Sequence, residues 1–159
     1  MPLSLTLNYN SLTTGFINYL AANSTTLNAD LNSSITTIKD MSVENFVLNA
    51  RQFPAISVDL KNNEQERTEL GNASSARRTV VCEWDIGVHA RAYLSYTALR
   101  VDLRRMVANI EEAIRKDDTL SGTVNQTDIS GVEFGTVIKN EGRYQNNAII
   151  DVETISYLS

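Results

Sequence analysis

Apolar residues recur along this chain with periods that assign most of its elements. Near the N-terminus Leu12, Phe16, Ile17 and Leu20 fall on one face of a helix. Ser11 suits its N-cap, where a side-chain oxygen accepts from a free backbone N–H. Leu27, Leu31, Ile35 and Ile38 repeat at helical spacing and predict a second helix, although Ser, Thr and Asn around them are mediocre helix formers. Residues 43–50 add a short helical turn. From Phe53 to Leu60 the period falls to two. Ile56, Val58 and Leu60 share one face of a strand, and Pro54 sits at its first residue, where no ladder donor is needed. Residues 61–78 are polar and nearly free of large apolar groups, which predicts a long loop. Loops of that length are functional or disordered more often than not.

Thr79–His89 alternates strictly. Val80, Cys82, Trp84, Ile86 and Val88 are expected to face a core, and Val81, Glu83, Asp85, Gly87 and His89 to face solvent or a partner. A long helix follows over about 91–116. Tyr96, Leu99, Leu103, Met106, Ile110 and Ala113 recur every three or four residues, and Val107 and Ile114 widen the stripe. Glu111/Arg115 and Glu112/Lys116 are favourable pairs on its exposed side, and Gly122 supplies a stop a few residues beyond. Strands are predicted at about 132–139 and 143–157, joined by the turn chemistry of Lys139-Asn140-Glu141-Gly142. In the last strand Ala148, Ile150 and Val152 alternate with Ile149, Asp151 and Glu153. The predicted fold is α+β: a two-layer, mainly antiparallel β-sheet packed by a long helix, with an N-terminal helical segment.

Length changes this picture little. The 159 residues suit one domain, read as an Asn/Ser/Thr-rich helical part at 1–50 and an α+β body at 51–159. The first 50 residues carry four charged side chains, Asp30, Lys39, Asp40 and Glu44. They can hardly bury a core alone, so they are expected to lie on the body or to become ordered on assembly. The net charge of −5 argues against a generally basic nucleic-acid binder. The first basic residue is Lys39, so no positive leader region is expected. The longest largely apolar stretch, Phe16–Ala22, is far short of the about 20 helical residues a bilayer requires. A chain made in the cytosol, with no membrane partner, is expected. The Asn-x-Ser/Thr sites at Asn23, Asn32, Asn72 and Asn125 then occur by chance.

Catalytic readings find little support. Cys82 and His89 have opposite parity on one strand and would lie roughly 20 Å apart along it. Cys82 reads as a small core hydrophobe, and His89 as a strand-end surface residue or a contact at the helix start. Asp117-Asp118 reads as a solvated helix exit, because no third ligand lies in register with it. The glycines at 131, 135 and 142 fit no phosphate-binding loop, and no serine sits in a Gly-x-Ser-x-Gly elbow. No catalytic, cofactor or metal residue is assigned. Trp84 belongs to the core-facing set. The arginines do gather: Arg77, Arg78, Arg91, Arg100, Arg104 and Arg105 fall in a window whose acids are Glu83, Asp85 and Asp102. Such guanidinium groups either clamp carboxylates or phosphates, or form a solvated helix face.

From Phe53 onward the order of elements resembles the bacteriophage tail terminator (tail completion) proteins. The resemblance rests on the Phe-Pro-Ala-Ile-Ser-Val strand and the polar segment after it. Next comes the Thr-Val-Val-Cys-Glu-Trp-Asp-Ile-Gly-Val-His-Ala strand, then a long helix ending Ala-Ile-Arg-Lys-Asp-Asp-Thr-Leu-Ser-Gly-Thr-Val. Residues 119–124 resemble the family's post-helix Leu-x-Gly turn, and the chain closes with an alternating strand ending near Tyr157. The resemblance implies a non-enzymatic α+β subunit without a cofactor. Its subunits would form a homomeric ring, typically of six, that caps the tail tube, ends its polymerisation and offers the docking surface for the head. The implied location is the virion's head–tail junction, after synthesis in the host bacterial cytoplasm. The implied partners are further copies of the chain, the tail tube protein, a head-closure or neck protein, and a sheath or collar protein where the tail is contractile. DNA would pass through the lumen without specific binding. A head-closure or neck adaptor is the neighbouring alternative. A small cytosolic ligand-binding or enzymatic α+β domain is the alternative of another class.

A closed ring needs one contact patch on each side of the subunit, which mixed local charge supplies. The candidate assembly residues are Glu64, Glu66, Arg67, Arg77 and Arg78 of the polar segment and its border, Glu83 and Asp85 on the alternating strand, Arg100 and Arg104 on the helix, and Arg143.

Overall fold

A computed structural model describes residues 7–42, 52–68, 77–92, 95–135, 137–140 and 143–158. In chain order its elements are α1 (Tyr9–Ala22), α2 (Ser24–Leu27), β1 (Thr37–Asp40), β2 (Ala55–Thr68), β3 (Arg77–Ala92), α3 (Tyr96–Lys116), β4 (Gln126–Phe134), β5 (Ile138–Asn140) and β6 (Arg143–Leu158). The alternating strand β3 is the centre. It pairs antiparallel with β2 on one side and β6 on the other. β4 pairs antiparallel with the far side of β6, and β5 continues along the same edge. β1 adds the one parallel pairing among the described residues, to β2. The sheet order is β1-β2-β3-β6-β4. This is the α+β fold that the periodicities predict.

The even-numbered side chains of β3 and β6 form the floor of the core. Val80, Cys82, Trp84, Ile86, Val88, Ala148, Ile150 and Val152 are all buried. α3 covers them with Leu99, Leu103, Met106, Val107, Ile110, Ala113 and Ile114, the face that its spacing predicts. Burying side chains of this size contributes about 1.5–3 kcal/mol each. α1 shares the same core. Its Phe16 ring packs against Trp84 with centroids 5.2 Å apart, and its Tyr19 hydroxyl donates to the Ala113 carbonyl of α3. Gly15 explains how α1 sits so close. A Cβ there would come within 2.6 Å of Thr123 Cγ2.

The caps follow sequence chemistry. Asn8, rather than Ser11, caps α1 by accepting from the Ser11 N–H. Ser95 caps α3 by accepting from Ala98. Asp117 ends α3 and organises the next turn, accepting from the Thr119 N–H and hydroxyl and from the Ser121 N–H. Those bonds hold its carboxyl below the usual carboxylate range. In this turn Leu120, Ser121 and Gly122 all have positive φ, and Leu120 is buried as the plug of the Leu-x-Gly segment.

Several elements depart from expectation. Leu27–Ile38 is not one helix: α2 stops at Leu27, and Thr37–Asp40 is a strand beside β2. Ile35 and Ile38 still pack against the core, but from extended chain, because an edge of the sheet was open to pair. Of the loop expected at 61–78, residues 61–68 and 77–78 are strand for the same reason: β2 and β3 supply each other a hydrogen-bonding partner that outweighs weak intrinsic propensity, and 69–76 lie outside the described residues. A bulge between Leu60 and Asn62 shifts the pairing at this point. Helix α3 begins at Tyr96 rather than 91, since β3 runs to Ala92. The single strand expected at 132–139 is two, β4 and β5, and β4 starts at Gln126. The turn expected at 43–50 lies outside the described residues.

Candidate assembly surfaces

One face of the sheet carries the helices. The other collects carboxylates in rows that no single strand reveals. The register sets Asp59 opposite Asp85 and Asp85 opposite Asp151, across β2, β3 and β6. The next row sets Glu83 opposite Glu153 and Glu153 opposite Asp128 of β4. Like charges directly opposed destabilise a sheet. Lys61 answers part of the first row with its Nζ 3.4 Å from Asp85. Even so, burial pushes the Asp85 carboxyl upward, and the nearby Asp151 adds to the rise against the pull of Lys61. Asp85 in turn raises the Lys61 ammonium. Glu83 and Glu153 have no bonded cation among the described residues. Glu83, Asp128 and Asp151 are exposed.

A pair of arginines lies on the other side of the molecule. Arg100 and Arg104 are exposed, one turn apart on α3. Arg100 lies over the Tyr96 ring, 5.6 Å from its centroid. Neither arginine makes an ion pair among the described residues. Arg105 is used internally: it donates to the Asp30 carbonyl at 2.9 Å. Asp102 likewise accepts from Asn32. Beside Arg100 and Arg104 a groove of about 470 Å³ opens between α3 and the β4–β5 edge, lined also by Tyr96, Leu103, Phe134 and Asn146. Tyr96 and Phe134 are 45% and 51% exposed. The groove is of ligand-pocket size.

The candidate residues are thus divided. Glu83 and Asp85 join one surface, and Arg100 and Arg104 another. Arg143 starts β6, with the parity of Asp151 and Glu153 rather than that of the groove. Glu64, Glu66, Arg67, Arg77 and Arg78 belong to paired strands: Glu64 stands opposite Val81, Glu66 opposite Thr79, Arg67 opposite Arg78 and Thr68 opposite Arg77. Their side chains lie outside the described residues. Asp59, Asp128, Asp151 and Glu153, which complete the acidic rows, escaped the sequence reading. The alternation of β6 marks Asp151 and Glu153 as one face, but only pairing shows what they oppose. Asn146 of the groove escaped for the same reason, whereas Tyr96, expected in the apolar stripe of the helix, is half exposed at the groove because α3 overhangs the sheet there.

His89 corrects the sequence reading. It is fully buried rather than at a surface. Its Nε2 lies 3.0 Å from the Ser57 hydroxyl and its Nδ1 3.1 Å from Asn147 Oδ1. Burial pulls its pKa down to about 4, against a weaker opposing effect from Asn147. Cys82 is buried as expected, and burial pushes its thiol upward. Among the described residues no group of three or more His, Cys, Asp and Glu is placed to hold a metal ion. No helix among them is long and apolar enough to cross a membrane. No protein-family model matches the chain, and no curated protein is significantly similar to it.

Proposed function

We propose that the chain is a structural subunit of a phage virion, a tail terminator whose copies form a ring at the end of the tail tube. One observation carries this reading: a cluster of opposed carboxylates and a pair of arginines lie on different surfaces. The open sheet face is acidic, with directly opposed carboxylates, and the solvent side of α3 presents Arg100 and Arg104 without acidic partners among the described residues. A ring closes through heterologous contacts, one patch meeting a different patch of the next copy. Complementary charge then sets register and speeds encounter. The α+β architecture also agrees with the resemblance from Phe53 onward.

The test is location. Gold-labelled antibody to the protein, viewed on purified particles by negative-stain electron microscopy, is expected to mark the head–tail junction. Unlabelled intact particles, with all the protein in the soluble lysate, overturn the reading. Order of addition then separates neighbouring roles: a terminator binds tails lacking heads, and a head-closure protein binds filled heads lacking tails.

A further inference from the structure

We propose that the groove between α3 and the β4–β5 edge is a carboxylate socket, and that its occupant is the Glu83/Glu153 pair on the open sheet face of a second copy of the chain. The proposal deepens the ring reading and rests on it.

Two features of the groove select the occupant. Arg100 and Arg104 stand one turn apart at its rim, and guanidinium forks match carboxylates. Tyr96 and Phe134 supply apolar walls that stay about half exposed in the single chain. Tyr96 is held edge-on to Tyr144, with centroids 6.0 Å apart, so that wall is preorganised.

The chain itself holds the complementary group. Lys61 engages Asp85, so the first acidic row has its own cation. Glu83 and Glu153 oppose each other without a bonded cation among the described residues, Glu83 being only the weakest charged neighbour of Lys61. Inserting that pair between Arg100 and Arg104 relieves repulsion on one copy and pairs two cations on the next. Plug and socket lie on opposite sides of the sheet, as head-to-tail association requires.

The test is sedimentation velocity on the full chain at low salt. The wild type is expected to self-associate, and added salt to weaken it. Arg100→Gln/Arg104→Gln and Glu83→Gln/Glu153→Gln are each expected to weaken association about tenfold, with unchanged circular dichroism; the arginine variant is expected to keep the wild-type melting temperature and the glutamate variant to melt no lower than wild type. An equimolar mixture of the two variants keeps one intact socket and one intact plug, so association is expected to recover and stop at the heterodimer. Undiminished association of either variant, or no recovery in the mixture, overturns the proposal. So does a wild type that stays monomeric. If phenylacetate then shifts the Asn146 amide resonances, the groove belongs to a free carboxylate. The two readings fail separately. Junction labelling with full association of the groove variant removes the socket and leaves the ring. A recovered heterodimer without virion label leaves the contact and removes the tail assignment.

Discussion

At the scale of single residues, burial decides chemistry. His89 is an ordinary imidazole by sequence, at a place where the strand was expected to meet solvent. Enclosed with Ser57 and Asn147, its ring is held neutral, with a pKa of about 4 in place of 6.5. Between those values the unfolded chain binds a proton that the folded chain refuses, so stability falls as pH drops from 6.5 towards 4. The full effect is about 3 kcal/mol. His89→Gln is expected to flatten the slope of urea midpoint against pH in that window. A slope identical to wild type refutes the assignment. Trp84 shows the opposite case. Its ring was legible as core from alternation, but its indole N–H needs Thr154, 70 residues away, which accepts at 2.9 Å.

At the scale of elements, packing overrides propensity. Gly15 lies inside α1, where alanine is the better helix former by about 1 kcal/mol. The approach of Thr123 reverses the sign. A Cβ at 2.6 Å forces a branched, hydrogen-bonded side chain to move, and overpacking of this kind costs about 1–3 kcal/mol. Gly15→Ala is therefore expected to lower stability by about 1 kcal/mol in urea unfolding. A gain would show that α1 can shift freely. β2 gives the same lesson for strands. Its half up to Leu60 was legible from alternation. Its polar continuation to Thr68 was not, because the signal for it is the adjacent backbone of β3 rather than any property of Lys61, Asn62 or Asn63.

At the scale of the whole molecule, the sheet gathers like charge that the chain disperses. Asp59, Asp85 and Asp151 are spread over 93 sequence positions and meet in one row. Removing one member should stabilise the isolated subunit. Asp151→Asn keeps the Lys61–Asp85 pair and is expected to raise stability by about 0.5 kcal/mol at neutral pH. Repulsion exists only while both carboxyls are ionised, and the Asp85 carboxyl titrates above its usual value. The gain is therefore expected to fade as pH falls through that raised pKa. Urea midpoints of both proteins across the acid range check this, and a gain that persists in acid points to another cause. Destabilising charge on a monomer is consistent with a surface built for a partner, which is the basis of the proposed assembly.

The sequence by itself determined the class of fold, the buried faces of β3, α3 and β6, and the place of Trp84 and Cys82. Those follow from period, and period is a local property of the chain. The tertiary structure alone decided the strand at Thr37–Asp40, the length of β2, the burial of His89, the acidic rows and the groove at Arg100 and Arg104. Each depends on which distant backbone lies alongside. Register between strands is set by the sum of all their contacts, so no short stretch of sequence contains it.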